Sequence, residues 1–175
     1  SMRVGKKHDQ AIDDAYRIDF NYRVPANGDD YFDVRLAADK GPIDTRDYRI
    51  QLEAVPLGDG RSFLHLTYSY SFGLASRVAL RAYLATAGSD KVGFTRDKSG
   101  YVGGMRGTVE RNTMRYYLAI DAFLSGLTIP QAQQLEQRLQ TWFSATERYP
   151  RQLHEVDKNE YLAMKRKEYA RQNTQ

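Results

Sequence analysis

The sequence predicts an α+β fold: an antiparallel β-meander followed by a long α-helix and additional C-terminal helices. Apolar residues alternate with a period of two between residues 16 and 72, and from residue 74 onward the period changes to that of a helix. Short breaks rich in Gly, Pro and Asn separate the alternating runs, as tight antiparallel connections require.

The first strand is read from residues 16 to 24, with Tyr16, Ile18, Phe20, Tyr22 and Val24 on one face and Arg17, Asp19, Asn21 and Arg23 on the other. Pro25-Ala26-Asn27-Gly28-Asp29 supplies turn chemistry, and alternation resumes through Phe32, Val34 and Leu36. After Lys40-Gly41-Pro42 a third strand carries Tyr48, Ile50, Leu52 and Ala54 up to the turn at Pro56 to Gly60. The fourth strand sets Leu64, Leu66, Tyr68, Tyr70 and Phe72 against His65, Thr67, Ser69 and Ser71. Such a meander, residues 16–72, has one wet and one dry face. The dry face is rich in rings, and a tyrosine hydroxyl buried there needs a partner. Either the rings pack against a covering helix with their hydroxyls at the rim, or they line a ligand cavity; both readings stay open at this level.

A helix over residues 74–87 places Leu74, Val78, Ala82 and Ala85 on one side, with Gly88 at its C-terminal cap. Short extended pieces follow at Lys91 to Phe94 and Tyr101-Val102. Thr108 is the expected N-cap of the long helix, 108–126, whose Val109, Thr113, Tyr116, Tyr117, Ile120, Phe123 and Leu127 have the spacing of a helix laid across a sheet. Pro130 opens a further helix carrying Leu135, Leu139, Trp142, Phe143 and Thr146, which Tyr149-Pro150 stops. A last helix starts near Asp157 and runs through Leu162, Met164 and Tyr169, so the C-terminal helices span 130–172. With no repeat and no linker, residues 1–175 read as one domain. The opening Ser1-Met2 fits removal of an upstream segment.

Composition excludes several classes. With 41% hydrophobic and 27% charged residues the chain is neither disordered nor fibrous. It contains no cysteine, which removes disulfide scaffolds, thiolate metal sites and cysteine nucleophiles. No apolar run reaches the roughly 20 residues of a membrane span. The net charge of +4 comes from 26 basic and 22 acidic residues that are interspersed, so no nucleic-acid partner is expected.

No catalytic or metal-binding constellation stands out. His8, His65 and His154 sit in unrelated elements; His65, beside Thr67 and Ser69, is the best candidate base. Gly103 to Gly107 can be read as an anion loop or, more simply, as a tight strand-to-helix connection. Arg106, Glu110, Arg111 and Arg115 crowd the start of the long helix, either as an ion-pair network or as a clamp for an anionic head group. Lys165-Arg166-Lys167 reads as a solvated face because Glu160 and Glu168 interrupt it.

The meander, its aromatic inner face and the glycine-led long helix resemble the helix-grip superfamily of START lipid-transfer domains and polyketide cyclases. The stretches Phe63 to Tyr70, Arg81 to Thr86, Lys91 to Thr95, Arg106 to Leu118 and Glu147 to Glu155 are similar to an uncharacterised group of exported proteobacterial proteins. That likeness implies a periplasmic or exported location. The superfamily likeness implies an antiparallel β-meander curved around the long α-helix, with a cavity between them for a lipid-like ligand. In the superfamily a strand and two short helices precede the meander, whereas this chain starts without them. Three explanations stay open: a removed segment, a different α+β fold, or a partner that completes the sheet.

The expectation is therefore non-enzymatic binding or transport of a small hydrophobic or amphipathic molecule, without a cofactor. Phe20, Tyr22, Tyr48, Tyr68, Tyr70, Arg106, Val109, Thr113, Tyr116, Tyr117 and Ile120 are the expected ligand-binding residues. Two alternatives accompany it. One is a cyclase- or hydrolase-type enzyme using His65 or a tyrosine hydroxyl. The other is an interaction module whose Trp142 and Phe143 dock a partner or a second copy of the chain.

Overall fold

The computed structural model describes residues 1–5, 10–86 and 88–173. It is α+β, with a four-stranded antiparallel sheet and several helices. The chain forms two compact units, one of Ser1–Gly5 and Asp13–Tyr83, the other of Lys6–Ile12 and Leu84–Gln175.

In the first unit β1 (Met2–Val4) pairs antiparallel with β2 (Tyr16–Ile18), and β3 (Asn21–Asn27), β4 (Phe32–Lys40), β5 (Thr45–Pro56) and β6 (Ser62–Phe72) form the meander in chain order. The strand expected over 16–24 is thus two strands. Its first part pairs with β1 and its second with β4, because alternation shows which way side chains point and not which strand lies alongside. Pro25 to Asn27, expected as a turn, lie inside β3. A register shift between Arg23 and Ala26 accommodates the proline, which has no N–H to give the ladder. The turn begins at Gly28, whose N–H donates to the Tyr31 carbonyl at 3.0 Å.

The register fixes the faces. Tyr22, Leu36, Ile50 and Tyr68 form one cross-strand row, Val34, Leu52 and Leu66 the next, and Phe32, Ala54 and Leu64 a third. Asp33, Glu53 and His65, then Arg35, Gln51 and Thr67, line the opposite face. The core of this unit is Ile18, Ala38 and Tyr48, with Met2, Val4, Phe20, Tyr68 and Tyr70 packed on it.

Helix α1 (Leu74–Ala85) forms where expected, but its apolar stripe does not face inward. Leu74 and Val78 are 79% and 60% exposed, and Ser76 is the buried residue. The Ser76 hydroxyl donates to the carbonyls of Gly73 (3.1 Å) and Asp44 (3.4 Å), which ties this polar side of the helix to the end of the sheet.

The second unit holds the hairpin β7 (Arg96–Asp97) and β8 (Gly100–Tyr101), then α2 (Gly104–Ser125), α3 (Gln131–Thr146), α4 (Pro150–Leu153) and α5 (Lys158–Gln172). α2 starts four residues before the expected N-cap. Thr108 does not cap it; its hydroxyl bonds back to the Gly104 carbonyl one turn earlier at 3.1 Å. Gly107 gives the neighbouring loop room inside the helix, because a Cβ there would lie 3.0 Å from both the Gly93 nitrogen and the Val102 oxygen. That close approach seats the strand-like loop on α2, with the Gly93 N–H donating to the Val102 carbonyl at 2.7 Å.

Two apolar clusters organise the helices. Leu118, Ala145 and Leu153 gather Phe94, Met114 and Tyr149, while Phe143, Tyr161, Leu162 and Met164 gather Leu139 and Val156. Trp142 packs on both, so α3 is the element that joins α2 to α5.

Candidate functional site

Four of the expected sheet residues come together. The rings of Phe20 and Tyr48 meet edge-on with centroids 6.2 Å apart, Tyr48 stacks on Tyr70 at 5.3 Å, and Tyr70 lies 5.2 Å from Tyr68. The Tyr48 hydroxyl donates to the Thr45 hydroxyl at 2.7 Å, so this buried ring has its polar partner within its own strand. Tyr22 is more than half exposed.

On α2, Val109, Thr113, Tyr116 and Ile120 are half-buried and Tyr117 is exposed. Arg106 is exposed and donates to Glu110 one turn along at 3.0 Å, as the ion-pair reading anticipated. The buried arginine is its neighbour Arg111, which donates to the Val92 carbonyl and the Thr108 hydroxyl. Glu110 takes the N–H groups of Phe94 (2.7 Å) and Thr95 (2.9 Å). Burial opposes ionisation of Glu110, but these N–H donors and Arg106 outweigh it and hold the carboxyl below its ordinary range. The backbone donors of the Phe94-Thr95 segment are thus directed onto a protein carboxylate at the start of α2.

The polar sheet face carries an ordered network. Asp33, 1% exposed, accepts from Arg35 at 2.7 and 3.0 Å and from Gln51 at 3.2 Å. Beside it Glu53 accepts the Tyr31 hydroxyl at 2.6 Å and meets His65 Nδ1 at 3.0 Å. These two hydrogen bonds, Tyr31 first, lower the Glu53 carboxyl, and in return Glu53 pushes the Tyr31 hydroxyl up to about 12. His65 therefore has an acidic partner, on an open surface where its side chain is 60% exposed. His154 pairs similarly with Glu147 at 3.0 Å, and His8 lies outside the described residues. Among the described residues no three His, Asp or Glu side chains are arranged to hold a metal, and no helix is long and apolar enough to cross a membrane.

A cavity of about 270 Å³ lies among the helices of the second unit. Trp142 and Phe143 from α3, Leu153 from α4, Val156, and Tyr161 and Met164 from α5 give it apolar walls. Arg115, Glu147, Glu155 and Lys165 stand at its polar side. Arg115 donates to Glu155 at 2.6 Å, and the Trp142 indole N–H donates to the Arg115 carbonyl at 3.3 Å, so the charged rim and the aromatic wall hold one another in place. Lys91 donates to the His154 carbonyl at 2.6 Å and fixes the segment that closes this end.

Tyr161 is the exceptional wall residue. It is 7% exposed, its ring stacks on Trp142 at 5.1 Å and lies 5.4 Å from Phe143, and its hydroxyl makes no hydrogen bond to a described residue. Burial pushes that hydroxyl's pKa up, with the Glu168 charge adding to the shift. The residue is buried, but its hydroxyl oxygen is not a buried orphan: it opens on the cavity, where water or a ligand can bond it. Sequence reasoning singled out Trp142 and Phe143 as a docking surface and passed over Tyr161, Val156 and Met164. The only signal was a run of aromatic residues on two helices separated by the Tyr149-Pro150 break.

Comparisons with protein families, with curated proteins and with solved structures found no match.

Proposed function

We propose that this protein binds a small hydrophobic or amphipathic molecule and releases it unchanged. The observation that supports this reading is the cavity of about 270 Å³ walled by Trp142, Phe143, Val156 and Met164, with the unpartnered Tyr161 hydroxyl among its walls. Its volume lies just below the range of about 300 to 1,000 Å³ usual for ligand sites, and apolar walls with a few polar groups are their usual composition. The fitting occupant is one ring or a short chain carrying a hydrogen-bond acceptor for Tyr161.

The sheet rings Phe20, Tyr48, Tyr68 and Tyr70 and, separately, the Val109, Thr113 and Ile120 stripe of α2 are further ligand contacts under the same proposal. Native mass spectrometry of protein purified without detergent tests the binding reading. A bound molecule of a few hundred daltons, released by unfolding, is the expected result. Clean protein whose Trp142 fluorescence ignores a panel of short fatty acids and monocyclic phenols would defeat it. If binding is seen, Met164→Trp, which fills the helical cavity, and Ile120→Trp separate the cavity contacts from those of the α2 stripe.

A second reading is favoured by the Tyr31–Glu53–His65 chain, since a carboxylate that orients an imidazole is part of many proton-transfer sites. Turnover of an ester panel that disappears in His65→Asn would establish it.

A further inference from the structure

The four-stranded sheet ends on two unlike edges. One is β3, which carries Arg23, Pro25 and a register shift between Arg23 and Ala26; a charge, a proline and a bulge are the usual devices that keep an edge from pairing with another chain. The other is β6, Ser62–Phe72, which carries neither charge nor proline, and the register shift in its ladder puts the extra residue on β5. It holds no Lys, Arg, Asp, Glu or Pro, it spans 11 residues or about 37 Å at strand rise, and among the described residues only β5 pairs with it. A long neutral edge presents backbone donors and acceptors as a template for a further strand.

We propose that β6 pairs antiparallel with β6 of a second copy of this chain, about a two-fold axis through Thr67. Three observations select a second copy. The strand has no formal charge, so opposing it to itself sets no like charges against each other. Full overlap of residues 62 to 72 with themselves centres the pair on residue 67. In that register Leu66 faces Tyr68 and Leu64 faces Tyr70 on the apolar side of the sheet, while His65 faces Ser69 and Phe63 faces Ser71 on the other. Finally, Phe63, Leu74 and Val78, all more than half exposed, flank the two ends of the strand. The register puts Phe63 of one copy opposite Ser71 of the other, three residues before Leu74. Pairing in this register sets each exposed Phe63 beside the end of its partner's β6 instead of open solvent. Two four-stranded sheets become one sheet of eight, an isologous arrangement that closes on itself. The inference is independent of the ligand reading.

The absence of cysteine makes the test direct. Sedimentation of the full chain should give about twice its 20.1 kDa mass. Thr67→Lys, on the exposed polar face, should return the mass to one chain with an unchanged circular-dichroism spectrum, because it sets two ammonium groups against each other. Thr67→Cys should form an intermolecular disulfide under mild oxidation, since directly opposed residues in a ladder hold their Cβ atoms about 4.5–5.5 Å apart. A wild-type chain that stays monomeric at about 100 µM overturns the proposal. So does a dimer that survives Thr67→Lys while Thr67→Cys fails to cross-link.

Discussion

Replacing Tyr161 by Phe removes one oxygen atom and nothing else, which makes it the sharpest test of what the cavity is for. The ring stays in its stack with Trp142 and its contact with Phe143, so no packing is lost. The hydroxyl has no described hydrogen-bond partner and the residue is 7% exposed. A fully buried unpaired hydroxyl costs about 1–3 kcal/mol, an upper limit here because this oxygen keeps accessible surface on the cavity. Water entering the cavity recovers part of that, so Tyr161→Phe should be more stable than wild type by about 1 kcal/mol. For a chain of this length the gain corresponds to about 2–4 °C in Tm. Trp142, the only tryptophan, stacks on this ring, so its fluorescence during urea unfolding follows the helical unit directly. The same substitution should weaken ligand binding about three- to tenfold, the worth of one neutral hydrogen bond. A variant destabilised by 1 kcal/mol or more would show that the hydroxyl is already satisfied within the protein, and the reasoning that assigns it to a ligand would fail.

Two further outcomes follow from the loop that seats on α2. Glu110 has a lowered folded-state pKa, so its contribution is present above the ordinary carboxylate value and is lost as pH falls through the lowered one. The stability gap between wild type and Glu110→Gln, measured by urea unfolding from pH 7 down to pH 3, should therefore shrink as the pH falls; a gap that stays constant or grows would refute the assignment. Gly107→Ala places a methyl 3.0 Å from the Gly93 nitrogen and the Val102 oxygen. Overpacking of about 1–3 kcal/mol, less about 1 kcal/mol of improved helix propensity, leaves a net loss near 1 kcal/mol, and a thermal melt showing stabilisation would contradict it.

The local elements were legible because they depend on neighbours in the chain. Period-two alternation with Gly- and Pro-rich breaks placed β4, β5 and β6 and assigned Leu36, Ile50 and Tyr68 to one face and Glu53 and His65 to the other, as their register shows. The helices after residue 103 were likewise readable from their spacing, although Gly103-Gly104 rather than Thr108 begins α2. A period reports which side chains share a face; it does not report what that face meets. For that reason the sequence could not show that Tyr16 to Ile18 leave the meander for β1, or that Leu74 and Val78 on α1 turn to the surface while Ser76 is buried. The cavity is the extreme case. Arg115, Trp142 and Tyr161 come from three helices, and no local pattern among them specifies a gap. Composition and alternation determined an α+β chain with a neutral last strand. Only the mutual approach of α2, α3 and α5 decided that an indole, a phenol and an arginine surround a space instead of filling it, because packing at that range depends on how whole elements fit together.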